Sequence, residues 1–262
     1  MMHHSRQLVL RTPIDIINWN RVEEQLLAWA AHHDSRYVCL CNVHGVTMAS
    51  YDPAFADILA HADLALADGA PIAWAVRHFH GAAQPRINGP DLMWRMLGAL
   101  ERHGRSVFLY GASPATLDAL VSALRRAFPR LRVAGAIAPP FRALTAEEDA
   151  AATERINASG ADLVFVGLGC PKQEFWMAAH CGRIAAPMVG VGAAFDYHAG
   201  TLRRAPLWWQ THGLEWLYRL AREPRRLARR YLVGNTLFLT KLLWQIARRQ
   251  NRPHEPGAAG PL

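Results

Sequence analysis

The stretch Ala161–Trp176, ADLVFVGLGCPKQEFW, carries the residues best placed for chemistry. Its apolar run, Leu163 to Leu168, breaks at Gly169 into Cys170-Pro171 and then Lys172-Gln173-Glu174. Glycines allow close approach of a ligand to the backbone. A helix opening after Pro171 offers free N–H groups and the positive end of its dipole. With the charge of Lys172 added, this is chemistry suited to a diphosphate. An ordinary strand–helix loop, with Gln173 or Glu174 as a cap, uses the same residues.

Asp68, in LADGAPIAW, stands between an apolar run and an apolar helix pattern. Aspartate at such a place most commonly caps the helix. As a catalyst, the same carboxylate would take a proton from an attacking hydroxyl. In VGVGAAFD, Phe195 occupies the place where the dinucleotide fingerprint G-x-G-x-x-G has its last glycine, which counts against a nicotinamide-dependent oxidoreductase, the alternative enzyme class. None of the thirteen histidines forms H-E-x-x-H or pairs with cysteine at a zinc spacing. No Asp-x-Asp pair is present to hold a divalent metal under a nucleotide diphosphate, so charge on a departing diphosphate would fall to protein cations and helix ends. No metal and no cofactor is expected.

Continuous apolar runs set these residues in place. Tyr37–Val43, Leu64–Ala67, Ser106–Gly111, Arg132–Ala138, Asp162–Gly169 and Pro187–Phe195 read as strands of a parallel sheet buried on both faces. Helix signals lie between them. Ser113-Pro114 opens one helix, Thr145 with Glu148 has capping-box spacing, and Pro171 opens a third. Alternation of strands and helices predicts a Rossmann-like α/β fold, an open and mostly parallel sheet with helices on both faces. In such sheets ligands bind beyond the carboxyl ends of the strands, where Asn42, His44, Asp68, Ser113, Lys172, Gln173, Glu174 and Asp196 fall.

After residue 199 the texture changes. From Gly200 onward twelve Arg or Lys face only Glu215, Glu223 and Glu255, giving +9 of a total +8, so residues 1–199 carry about −1. This segment reads as two or three helices, one of them restarting at Pro224. Arg225, Arg226, Arg229 and Arg230 share an arc of about 140°, with Leu227, Tyr231, Phe238 and Leu242 roughly opposite. An arginine face with tryptophans nearby suits an anionic membrane surface better than nucleic acid. The expected organisation is an α/β core over 1–199, a basic helical appendage over 200–250, and a Pro/Gly-rich disordered tail over 251–262. No run has the length of a membrane span and the N-terminus lacks a signal-peptide pattern, so a soluble or peripheral protein is expected. The four cysteines, without metal spacing, read as reduced thiols of a cytoplasmic protein.

Together these blocks resemble the WecG/TagA/CpsF glycosyltransferases, glycosyltransferase family 26, from about Tyr37 to Trp244. The resemblance is carried by Ala67–Gly69 (ADG), Arg86–Met93 (RINGPDLM), Val107–Pro114 (VFLYGASP), ADLVFVGLGCPKQEFW, Gly190–Pro206 (GVGAAFDYHAGTLRRAP) and Gly213–Tyr231 (GLEWLYRLAREPRRLARRY). It implies an inverting, metal-independent transferase on a Rossmann-like core. Such an enzyme moves a sugar from a UDP-sugar to a polyprenyl-diphosphate-linked saccharide at the inner face of the cytoplasmic membrane, for surface polysaccharide. By the same resemblance Asp68 is the catalytic base, and Asn42 and Gln173 are pocket residues. Arg86, Asp91, Ser113, Lys172, Glu174 and Asp196 complete the substrate site. Arg219, Arg222, Arg226, Arg229 and Arg230 meet the diphosphate or the membrane, and a homo-oligomer is implied. The chain departs from the family at Leu40, where many members have threonine, at Pro139-Pro140-Phe141 for Gly-Tyr-Phe, and at Ala193 for a glycine.

Overall fold

The structure, a computed structural model, describes residues 5–250, and for Arg226, Arg229, Arg230, Arg249 and Gln250 the backbone alone. The tail expected to be disordered lies outside the described residues. In chain order the elements are β1 (Arg6–Val9), β2 (Thr12–Asp15), α1 (Trp19–His32), β3 (Tyr37–Cys41), α2 (Val43–Ala49), α3 (Pro53–His61), β4 (Leu64–Ala67), α4 (Ala70–His80) and α5 (Gly89–Arg102). They continue with β5 (Ser106–Gly111), α6 (Pro114–Ala127), β6 (Arg132–Ile137), α7 (Ala146–Ala158), β7 (Leu163–Gly167), α8 (Lys172–His180), β8 (Met188–Gly190) and α9 (Ala194–Ala199). The last three are α10 (Leu207–Thr211), α11 (Glu215–Arg222) and α12 (Pro224–Gln250).

Six strands form one parallel sheet in the order β4-β3-β8-β7-β5-β6, the Rossmann-like α/β architecture expected from the apolar runs. Two apolar layers cover it. One includes Phe55, Ile72, Tyr110 and Met177; the other includes Leu26, Met93, Leu120 and Phe195. β4 and β5 coincide with the runs that announce them, and the other four strands are shorter than theirs. β3 stops at Cys41 because the Asn42 side chain accepts from the Gly45 N–H and starts α2. β8 keeps only three residues of Pro187–Phe195, because the chain turns through Gly192, at positive φ, into α9.

At Gly111 (φ +130°) and Gly167 the sheet edge has no room for side chains. A Cβ on Gly111 would lie 2.5 Å from the Gly167 carbonyl carbon, so β5 and β7 end in close backbone contact. The capping box expected at Thr145 and Glu148 is present on α7, with both reciprocal bonds made. An antiparallel hairpin, β1–β2, lies beyond the β4 edge, where an Asp15 oxygen accepts from the Ala65 N–H at 2.7 Å.

The helices after residue 206 include the restart at Pro224. α12 packs on α2 and buries Leu227, Phe238 and Leu242, three of the four residues assigned to its inner face. Tyr231, the fourth, is only partly covered. Gln245 of α12 accepts from the Leu10 N–H at 2.9 Å and donates to the Leu8 carbonyl, while Lys241 donates to Ser50. None of the described helices is long and apolar enough to cross a membrane.

Candidate active site

Asp68 follows the last residue of β4, and its backbone is fixed there. Its N–H donates to the Cys41 carbonyl at 3.1 Å, extending the β3–β4 pairing by one bond. The helix that follows is not capped by it. Gly69 occupies the N-cap of α4 and no side chain bonds there, so the capping role that local sequence favoured for Asp68 is absent. The carboxyl group is turned to other partners. Burial pushes its pKa up to about 6, against the lowering effect of Arg86, a hydrogen bond from Asn42 and the charge of Arg219; Glu215 raises it further.

The loop ahead of α5 delivers Arg86. The Ile87 N–H bonds the Ala67 carbonyl at 2.9 Å, which pins the loop to the end of β4. Arg86 Nη2 then donates to Glu215 Oε2 at 2.7 Å, and Nη1 reaches the Gln210 carbonyl. Next along the chain, Asn88 caps α5 by accepting from the Asp91 N–H and donates to the Asp91 carboxylate at 2.6 Å. Arg204 binds both residues, through Asp91 Oδ1 and, at 3.2 Å, Asn88 Oδ1. Burial works to raise the pKa of Asp91, but the bonds from Arg204 and Asn88 outweigh it and hold it low. Arg219, on α11, is half-buried beside Tyr197, with Glu215 near both.

Farther along the sheet edge, Lys172 and Trp176 line a cleft of about 510 Å³ at the ends of β5, β6 and β7. Tyr110, Trp176 and His180 stack in series there, with centroids 4.2 and 4.1 Å apart, and His180 meets Asp149 at 2.9 Å. Pro139, Pro140 and Phe141 form part of the rim. Gln173 and Glu174 are buried, at 4% and 2% exposure. Gln173 Oε1 accepts from the Gly169 N–H, its amide donates to Glu174, and it packs against Gly190 and Gly192. The pair thus holds the turn between β7 and α8 from beneath.

Ser113 caps α6, accepting from the Thr116 N–H. Asp196 accepts from Thr201. Arg222 folds back on Tyr218 and stays exposed, apart from the cluster around Asp68. The side chains of Arg226, Arg229 and Arg230 lie outside the described residues. Leu40 is buried in the apolar layer of Met93 and Phe195. Phe195, at the last position of the incomplete glycine fingerprint, is a core residue against Gly167 rather than part of a phosphate turn.

Sequence reasoning did not single out Arg204, Glu215 or Tyr197. Arg204 and Glu215 join the site through ion pairs to Asp91 and Arg86, more than a hundred residues away in the chain, which no local pattern records. A family model described as Glycosyl transferase WecG/TagA/CpsF family matches residues 7–252.

Proposed function

The chain belongs to the WecG/TagA/CpsF glycosyltransferase family, and from that premise we propose that it moves a sugar from a UDP-sugar to a polyprenyl-diphosphate-linked saccharide. The product is an intermediate of bacterial surface polysaccharide: exopolysaccharide, capsule, common antigen or teichoic acid. Transfer proceeds with inversion, without a metal, at the inner face of the cytoplasmic membrane. Asp68 takes the proton of the acceptor hydroxyl as that oxygen bonds to the anomeric carbon. The bond from the same carbon to UDP breaks on the opposite face, so one displacement inverts the centre without an enzyme nucleophile. Charge developing on UDP is offset by Arg86, Arg219 and Lys172.

The observation that carries this reading is Asp68 itself. A carboxyl group with a pKa of about 6 is ionised at neutral pH yet basic enough to share a proton with an attacking hydroxyl. It stands beside arginines, at the same sheet edge as a cleft with aromatic and cationic walls. From β7 to β4 the sheet advances three strand spacings, roughly 14 Å. That suits a donor with its base in the Tyr110–Trp176 cleft and its sugar near Asp68. Membrane docking is supported by the outer face of the appendage, where Leu232 is 67% exposed and Trp208 and Trp244 are each 58% exposed.

The test is a donor panel. Folded enzyme with vesicles and a polyprenyl-diphosphate-sugar acceptor receives single UDP-sugars, with and without EDTA. EDTA-resistant transfer from one donor is the expected result. Absence of both transfer and calorimetric UDP binding would refute the proposal.

A further inference from the structure

Arg86 and Arg204 contact a single carboxylate from the appendage, that of Glu215, and Arg219, one helical turn further along α11, lies within reach of its charge. We propose that Glu215 is a displaceable occupant of an oxyanion site: its carboxylate stands where a phosphate group of the substrate binds among the three arginines, and substrate entry expels it. The proposal rests on the glycosyl-transfer reading for the ligand being a diphosphate; the arginine cluster itself does not depend on it.

Glu215 engages two different guanidinium groups with its two oxygens. Oε2 is 2.7 Å from Arg86 Nη2 and Oε1 is 3.6 Å from Arg204 Nε. That is a loose fit for a carboxylate, which pairs best with both oxygens on one guanidinium fork. It is the way an oxyanion with more oxygens would be shared between neighbours. The donors are also in surplus. The Nε atoms of Arg86 and Arg219 are buried without a hydrogen-bond acceptor among the described residues, and that of Arg204 has only the Glu215 oxygen at 3.6 Å, beyond hydrogen-bond reach. Buried donors are normally satisfied, so three under-used Nε atoms in one arginine cluster point to a site built for a larger anion than one carboxylate. Asp91, whose two oxygens accept from Arg204 Nη1 and the Asn88 amide, makes no hydrogen bond to any of these Nε atoms.

The placement of Glu215 suits release. It lies in the first turn of α11, an eight-residue helix, and the Arg86–Glu215 pair is a polar tie between that helix and the loop beside Asp68. A tetrahedral phosphate entering between Arg86 and Arg204 replaces one negative charge by a greater one and takes up the idle Nε donors. The carboxylate then rotates to solvent. Arg204 thereby becomes a phosphate ligand, and Glu215 a positioning residue that keeps the arginines spread and charge-balanced until the ligand arrives.

Calorimetric titration of inorganic pyrophosphate and of UDP into wild type, Glu215→Gln, Glu215→Asp and Arg204→Gln tests this. Removing the competing charge in Glu215→Gln should tighten both ligands about tenfold, which is about 1.4 kcal/mol. Glu215→Asp, with its carboxylate drawn back, should tighten them less. Arg204→Gln should weaken both. A structural strut gives the opposite sign, because loss of a strut does not improve affinity. Unchanged or weaker binding in a folded Glu215→Gln overturns the proposal; if that variant does not fold, unchanged or weaker binding in Glu215→Asp does so. Tighter pyrophosphate without sugar transfer from any donor would sink the donor assignment and leave the displaced carboxylate standing. Sugar transfer intact with no tightening would sink the displaced carboxylate alone.

Discussion

At Asp68 burial competes with two arginines, and burial prevails. Two consequences follow for the pH axis. The catalytic one is that transfer should rise with pH through about 6 as Asp68 ionises, in initial-rate profiles of kcat/KM. Asp68→Asn should abolish that limb and lower kcat by roughly 10²–10⁴-fold with the circular-dichroism spectrum unchanged. The second concerns stability. A native pKa above the unfolded value near 4 means that the folded state holds its proton more tightly than the unfolded chain. The stabilisation linked to that proton is complete below about pH 4 and is lost as pH rises through about 6. Asp68→Asn should therefore melt higher than wild type at pH 7.5, with the advantage fading by pH 4 in thermal scans. Loss of activity together with gain of stability is the mark of a carboxylate kept for chemistry.

Among the elements, loops at strand ends do most of the positioning, and two glycines let them meet. Gly111→Ala would set a methyl group 2.5 Å from the Gly167 backbone at a φ that L-residues rarely adopt. It should lose more than about 1 kcal/mol, read as a melting temperature lower by roughly 3 °C or more. The strands and capped helices were legible because their signals are local: apolar runs, Ser113-Pro114, and Thr145 with Glu148 three residues on. The β1–β2 hairpin escaped notice because its turn has none of the usual marks. Leu10 takes the positive φ that Gly or Asn normally supplies, and Pro13, a residue that argues against a strand, lies within β2. The site was half legible for the same reason. Asp68 and Asn42 directly follow strands and Lys172 opens the helix after β7, so all three can be found by counting. Arg204 and Glu215 join the site by long-range ion pairs, and the absent cap at Asp68 shows how a local rule yields to tertiary partners.

For the molecule as a whole, the appendage both buries and exposes large apolar side chains. Leu227, Phe238 and Leu242 face the core, each contributing about 1.5–3 kcal/mol of burial. Trp208 and Trp244 face outward. Replacing both tryptophans by alanine should weaken co-sedimentation with anionic vesicles several-fold and leave the melting temperature within about 1 °C, since neither is buried. Truncation after Leu202 should also release the protein from vesicles and impair transfer. It uncovers α2 as well, so the tryptophan pair isolates docking from stability. The sheet order carries a last implication, for how the chain comes together during synthesis. β3 and β4 form one half of the sheet and β5, β6 and β7 the other, and only the three residues of β8 join them. Without those residues β3 and β7 would each present a bare inner edge, a template for mispairing. Closing that seam at Met188–Gly190 brings the Asn42 and Gly169 turns into one rim, so the event that completes the sheet also aligns the strand ends of the proposed site, before the appendage adds its arginines.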